Sequence, residues 1–247
     1  MKLLISPAKK MRVERDFLPP ETCPALLDRS ALLLEHLRSL PLPELKRLLA
    51  CNDALAQEAY RNFRAMELDR GETPALFAYD GIQYKYMAAG LFTQEQLDYV
   101  KEHLRILSGF YGVLRPFDGV SPYRLEMQAK LKTDFCASMY DFWGEDLARL
   151  LDGEGVLLNL ASAEYSRSVL PHLPPGIRVI TPIFGERNGA ERVVEKGVYV
   201  KMARGEMVRF LAEQGTDKPD ALTEFDRLGF RCYSELSTPE RPVFLRT

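Results

Sequence analysis

The chain has 247 residues, 46% hydrophobic and 28% charged, enough to bury a substantial core in one large domain or two small ones. Its 33 basic against 35 acidic residues exclude nucleic-acid binding driven by net charge, so any basic patch must be local. Four scattered cysteines (Cys23, Cys51, Cys136, Cys232) and three scattered histidines (His36, His103, His172) exclude a disulfide framework and zinc-ligand spacing.

Lys2–Ser6 reads as a short buried strand that stops at Ser6-Pro7. The opening apolar run is too short for a signal peptide and no stretch approaches a membrane span, so a cytoplasmic location without a membrane partner is expected. Helical patterning follows from about Pro24 to Arg38, and again from Pro43 to about Met66 with a break near Asn52-Asp53. Residues 75–81 (ALFAYDG) read as a strand ending in a glycine turn. Thr93 and Gln96 form a capping-box signature for a helix running to about His103. Residues 134–151 read as an aromatic-rich helix, Gly155–Leu160 as a buried strand and Ser162–Val169 as a short helix.

Arg178–Phe184 and Glu191–Val200 read as a hairpin-like strand pair, and residues 201–214 as an amphipathic helix. Phe230–Tyr233 and Pro242–Arg246 are the last strand candidates. With no repeat, low-complexity linker or evident boundary, the expected fold is one mixed α/β domain over residues 1–247.

Charge is uneven along this frame. Residues 1–15, including Arg15, together with 105–132 and 192–209, are each rich in cations. Brought together they would form a basic cleft; kept apart they are three solvated faces.

Several motifs fall in or near those segments. Ser6-Pro7-Ala8-Lys9 leaves a buried strand end, where α/β proteins commonly place ligand-binding groups; Ser6 could bond a ligand and Lys9 bind phosphate, or the loop is simply solvated. Gly109 and Gly112 bracket Phe110-Tyr111 ahead of Arg115. A tight turn of that kind presents backbone N–H groups to a phosphate, or packs its aromatics in the core. Arg124 and Glu126 share a face if extended, either as a structural ion pair or as a phosphate clamp beside an acid/base carboxylate.

Ser162 sits at a strand-to-helix junction with Glu164 and Tyr165 in the first turn. Glu164 could be a general base, but Ser162 lacks the G-x-S-x-G elbow of a hydrolase nucleophile. Lys201 and Arg204 project from one side of a helix start, a placement the helix dipole disfavours and an anionic ligand would offset.

Taken in order, ISPAK (5–9), LSGFYGVLRPFD (107–118), PYRLEM (122–127), FWG (142–144), NLASAEY (159–165) and KMARG (201–205) resemble the YaaA peroxide-stress protein family over essentially the whole chain. The resemblance implies a cytoplasmic bacterial protein that supports resistance to hydrogen peroxide by limiting free iron. It also implies a mixed α/β fold with a positively charged cleft and a helix-hairpin-helix element, placed on the helix ending near His103 and the LSGFYG turn. The chain departs from some relatives at Asp80 (for a lysine), Ile82 (for an acid), Tyr86 (for a glycine) and Lys10 (for a threonine).

Two functions follow. In the first, Ser6, Lys9, Arg115, Arg124, Lys201 and Arg204, with Gly109 and Gly112 backbone N–H groups, grip the DNA phosphate backbone without reading sequence. In the second, an enzyme acts on a nucleotide, nucleoside or nucleic-acid base, with Lys9, Glu126, Ser162, Glu164 and Tyr165 as candidate catalytic groups. No cofactor motif is present. The scattered cysteines and histidines argue against direct iron binding.

Overall fold

The apolar opening run forms a strand as its composition predicts: β1 (Lys2–Ile5) buries Leu3, Leu4 and Ile5 completely. The computed structural model describes residues 1–14, 18–151, 155–189 and 192–246. Arg15 of the first basic segment and Glu191, the expected start of a hairpin strand, lie outside the described residues.

A two-residue strand, β2 (Lys10–Met11), precedes three helices: α1 (Leu27–Ser39), α2 (Leu42–Leu49) and α3 (Asp53–Ala65). Pro43 occupies the first turn of α2, and Asn52 caps α3 by accepting the Leu55 N–H at 3.0 Å. The strand expected over 75–81 is divided into β3 (Thr73–Pro74), a one-turn helix α4 (Ala75–Ala78) and β4 (Tyr79–Asp80), followed by α5 (Ile82–Met87). Ala75 to Tyr79 are all buried, and a continuous apolar run does not distinguish strand from helix. The pairing partners there are only two residues long, too short to hold an extended segment.

The capping box closes as predicted, Thr93 Oγ1 accepting the Gln96 N–H and Gln96 Oε1 accepting the Thr93 N–H, and starts α6 (Gln94–His103). Here the structure departs from the helix-hairpin-helix expectation. The chain passes directly from α6 into β5 (Leu104–Ser108), turns through 109–111 and returns antiparallel as β6 (Gly112–Leu114). Leu104, Ile106, Leu107 and Ser108 are fully buried, so sheet pairing satisfies backbone groups that water cannot reach.

After β7 (Gly119–Val120), the aromatic-rich segment forms two short helices, α7 (Met139–Trp143) and α8 (Asp146–Arg149), separated at Gly144, whose φ of 46° ends the first. β8 (Val156–Leu160) leads to the one-turn helix α9 (Ala163–Ser166). β9 (Arg178–Ile180) is followed by the hairpin of β10 (Ile183–Asn188) and β11 (Arg192–Val194). α10 (Gly197–Gln214) takes residues 197–200 from the strand expected there. The chain ends with β12 (Phe230–Cys232) and β13 (Val243–Arg246).

Two sheets organise these elements. The first runs β6-β5-β1-β8-β9, with β1 parallel to β5 and β8, and β8 parallel to β9. The second runs β11-β10-β13-β12, with β10 and β13 parallel. One hydrophobic cluster joins Phe110, Tyr111 and Trp143 near the first sheet to Phe184, Phe225 and Phe244 near the second. Ile5 pairs with both Ile106 and Leu160, so the carboxyl ends of β1, β5 and β8 open on one edge. Ligand crevices of open α/β sheets lie at that edge.

Candidate active site at the carboxyl edge of the parallel sheet

Pro7 cannot donate to a strand ladder, so β1 stops and the chain leaves the sheet at Ser6. Four contacts fix this exit. Ser6 Oγ accepts the Ser162 N–H at 2.8 Å and donates to Ser162 Oγ at 3.2 Å. The Tyr84 hydroxyl donates to the Ser6 carbonyl at 2.9 Å. Gly81 lies so close beneath the loop that a Cβ there would stand 2.7 Å from Ala8 Cβ. Ser162 therefore accepts from Ser6 and keeps its own hydroxyl hydrogen available to a ligand.

Lys9 extends from this loop to Glu126, Nζ to Oε2 at 2.8 Å. The extended spacing of 124 and 126 puts both side chains on one face, and Arg124 Nη2 lies 3.4 Å from Glu126 Oε1. Arg124 Nε is buried and has no hydrogen-bond partner among the described residues. Glu164 completes the group: its Oε1 accepts the Gln128 N–H at 3.3 Å. Burial raises the Glu164 carboxyl above its ordinary value and the Glu126 carboxylate adds to the rise, while Lys9 opposes it. Burial likewise pushes the Tyr165 phenol far above its usual range.

Ser6, Lys9, Arg124, Glu126, Ser162, Glu164 and Tyr165 thus come from three distant stretches of sequence to one place. Two clefts flank them and share Arg124. One of ≈ 590 Å³ is lined by Arg47, Glu126, Gln128 and Lys130 as well. The other, of ≈ 340 Å³, is bounded by Lys9, Leu55, Pro122 and Tyr123. A third of ≈ 400 Å³ continues from the first through Arg47 and Lys130 to Lys132. The first two basic segments therefore converge.

The other candidates sit differently. Arg115 is committed to the buried Asp118, its Nη2 and Nε both 3.1 Å from Oδ1 while its N–H bonds Oδ2 at 2.8 Å. Lys201 is exposed on α10, and Arg204 is largely buried with its Nε unpartnered. Burial lowers the Arg204 pKa, with Glu195 opposing. Among the described residues no hydrogen bond or ion pair links either cation to the Lys9–Glu126–Arg124 group. Their helix is nonetheless close to the edge: a Cβ on Gly205 would stand 2.1 Å from the Gln83 carbonyl, and Gln83 Nε2 reaches the Leu160 carbonyl at 3.5 Å.

The expectation of an exposed phosphate-gripping turn at Gly109 and Gly112 is corrected. Phe110 and Tyr111 are fully buried, and Ser108 Oγ accepts both their N–H groups, at 3.1 and 2.8 Å. Gly112 has a φ of 81°, and a Cβ on Gly109 would stand 2.3 Å from the Leu125 carbonyl oxygen. The turn is a buried support for the strand-like segment that carries Arg124 and Glu126.

Two of the sequence departures meet each other. Lys10 Nζ lies 2.8 Å from Asp80, and Lys85 Nζ 3.5 Å from the same carboxylate. The hydrogen bond from Lys10 holds Asp80 below the usual carboxylate range. Lys85 is therefore paired rather than free for a ligand. Sequence reasoning missed Tyr84, Gly81 and the Gln128 N–H, although a glycine shortly before an aromatic in GIQY is a signal of close backbone approach.

Comparison with known proteins identifies the family. A sequence profile described as peroxide stress protein YaaA matches residues 1–236. The chain belongs to that family. It is 54% identical over 248 residues to a UPF0246 protein of Desulfitobacterium hafniense (strain Y51), covering 100% of the chain and 98% of the relative. It is 45% identical over 247 residues to UPF0246 proteins of Agathobacter rectalis and Pediococcus pentosaceus, covering 100% of the chain and 99% and 98% of those relatives. In this YaaA-family chain no helix among the described residues is long and apolar enough to cross a membrane. No group of three or more His, Cys, Asp or Glu among them is placed to hold a metal ion.

Proposed function

We propose that this YaaA-family protein serves the peroxide-stress response through an acid–base site acting on a phosphate-bearing nucleotide substrate, free or within nucleic acid. The observation that carries the reading is Glu126 held at 2.8 Å from Lys9 and 3.4 Å from Arg124, beside the half-buried Glu164. A cleft that only gripped phosphate would lose affinity by placing carboxylates among its cations. Two carboxyl groups in different environments, one ion-paired and one with its pKa raised, are instead the arrangement of an acid–base pair.

In this reading Lys9 and Arg124 hold the phosphate, Arg124 through the buried Nε that lacks an acceptor. Glu164, whose carboxyl is raised above its ordinary value by burial, donates or accepts the proton, and the Ser162 hydroxyl orients the substrate. The test incubates the protein with a mixture of nucleoside mono-, di- and triphosphates and a short DNA duplex, followed by chromatography. Product formation that Glu126→Gln and Glu164→Gln abolish is expected. No product from any of these substrates would overturn the reading.

A second reading, sequence-independent DNA binding, is favoured by the groove that runs from Arg124 through Arg47 and Lys130 to Lys132. Phosphate contacts of this kind are salt-sensitive and carry no base information. A low-salt titration without affinity for duplex DNA, or one that Lys130→Ala and Lys132→Ala leave unchanged, rules it out.

A further inference from the structure

We infer that the ≈ 340 Å³ cleft beside Lys9 and Arg124 receives the amino-bearing heterocycle of a nucleoside phosphate, read by Leu55, Glu58 and Asn62 of α3. The inference rests on the anion-holding part of the proposed function and adds to it the part of the substrate that the cations do not recognise.

The first observation is a stripe. Leu55, Glu58, Ala59 and Asn62 follow the i, i+3, i+4, i+7 rule and form one face of α3 along the cleft. The core-packed face is rotated from it and carries Ala56 and Phe63, with the buried Ala59 at the border of the two. Leu55 is left 37% exposed. A leucine kept out of the core, next to two polar side chains on the same face, suits a small ring with polar edges.

The opposite wall is preformed. Tyr123 has its hydroxyl 3.0 Å from the Tyr79 hydroxyl and 2.7 Å from Ser108 Oγ, and its ring stacks on Phe110 at 5.3 Å between centroids. Pro122 precedes it and Met11 adds a flexible apolar side chain. The volume lies at the lower end of the range for small-molecule sites, which are mainly apolar with a few placed polar groups.

Those polar groups are free. Among the described residues neither Glu58 nor Asn62 has a side-chain hydrogen-bond or ion-pair partner. An asparagine amide can bond an adenine-type edge at two points, and a carboxylate accepts from an exocyclic amino group. Lys9, Lys10 and Arg124 also border this cleft, Lys10 being paired with Asp80, and Arg124 borders the larger one that holds Arg47 and Lys130 as well. A ring in the small cleft therefore has its phosphate within reach of Arg124.

The test measures binding of three probes by calorimetry: AMP, IMP and ribose 5-phosphate. AMP is expected to bind at least about tenfold tighter than ribose 5-phosphate, the margin of one stacked base, and tighter than IMP, which lacks the amino group. Leu55→Asp and Asn62→Ala should each reduce AMP toward the ribose 5-phosphate affinity without changing ribose 5-phosphate itself. Leu55 is exposed, so its replacement leaves the fold intact, checked by an unchanged melting temperature. Arg124→Gln should weaken all three probes.

Equal binding of AMP and ribose 5-phosphate, or tight AMP binding that Leu55→Asp leaves unaltered, overturns the ring pocket alone. Equal binding of AMP and IMP overturns the amino-group assignment. No binding of any phosphate probe overturns the anion site and this inference together. AMP binding that needs Leu55, with no turnover of any nucleotide, overturns the acid–base reading and leaves the pocket standing.

Discussion

Replacing Gly109 by alanine tests whether the buried turn supports the site. The new Cβ would stand 2.3 Å from the Leu125 carbonyl oxygen and 3.1 Å from the Glu126 carbonyl carbon, where ordinary contact begins at 3.4 Å. Both obstacles are backbone, so the segment carrying Arg124 and Glu126 must retreat by about 1 Å. Overpacking of this kind costs about 1–3 kcal/mol. In a chain of this size that lowers Tm by roughly 2–12 °C in calorimetry. A displacement of about 1 Å at a catalytic group costs on the order of 100-fold in activity, so turnover should fall more than stability alone explains.

Gly112→Ala is the control. It strains a φ of 81° and presses on the side chains of Leu26, Leu147 and Trp143, at about 1–3 kcal/mol. It touches neither Leu125 nor Glu126 and should lower Tm while leaving the site's residual activity in the folded fraction intact. An unchanged Tm in Gly109→Ala, or equal loss of activity in both variants, refutes the reasoning.

Ser108→Ala should be among the most destabilising single changes. It strands the Phe110 and Tyr111 N–H groups in the core and leaves the Tyr123 phenol only its bond to Tyr79, at about 1–3 kcal/mol for each unsatisfied group, visible as a lower urea midpoint at unchanged slope. Glu164→Gln keeps an acceptor for the Gln128 N–H but removes a carboxyl whose folded pKa is raised. The folded chain holds that proton after the unfolded chain has lost it, so wild-type stability declines as pH rises through the window above 4.5. The variant should melt higher than wild type at neutral pH, with the advantage vanishing below that window; a pH-independent difference counts against the burial of Glu164. If the Arg47–Lys132 groove carries DNA, Lys132→Ala should reduce the slope of log affinity against log salt by about 1.

The parts of the site legible in the sequence are those with a single physical explanation. Pro7 ends a buried strand whatever follows it, and the alternation Arg124-Leu125-Glu126 puts two charges on one face of an extended chain. The α6 cap was equally legible because Thr93 and Gln96 satisfy each other locally. The LSGFYG turn was not, because paired glycines state that backbone comes close to something without stating what. A phosphate would leave the same signature as the Leu125 carbonyl that lies there. Gly197-Val198-Tyr199-Val200 has strand-like composition, yet α10 packs along α5 and tertiary contact overrides the preference. The Lys10–Asp80 pair required two unusual residues to be read together across the chain.

The position of β1 bears on how the protein comes into being. β1 pairs with residues 104–106 on one side and 157–160 on the other, so one edge waits for a segment about a hundred residues away and the other for one well past the middle of the chain. Contacts of such sequence separation slow folding and expose intermediates. The Ser6 loop has no Ser162 to bind, and Lys9 no seated Glu126, until that closure. A partly made or partly unfolded chain therefore has no weakened form of the site: the arrangement arises and disappears with the central sheet, and damage that opens this sheet removes it in one step.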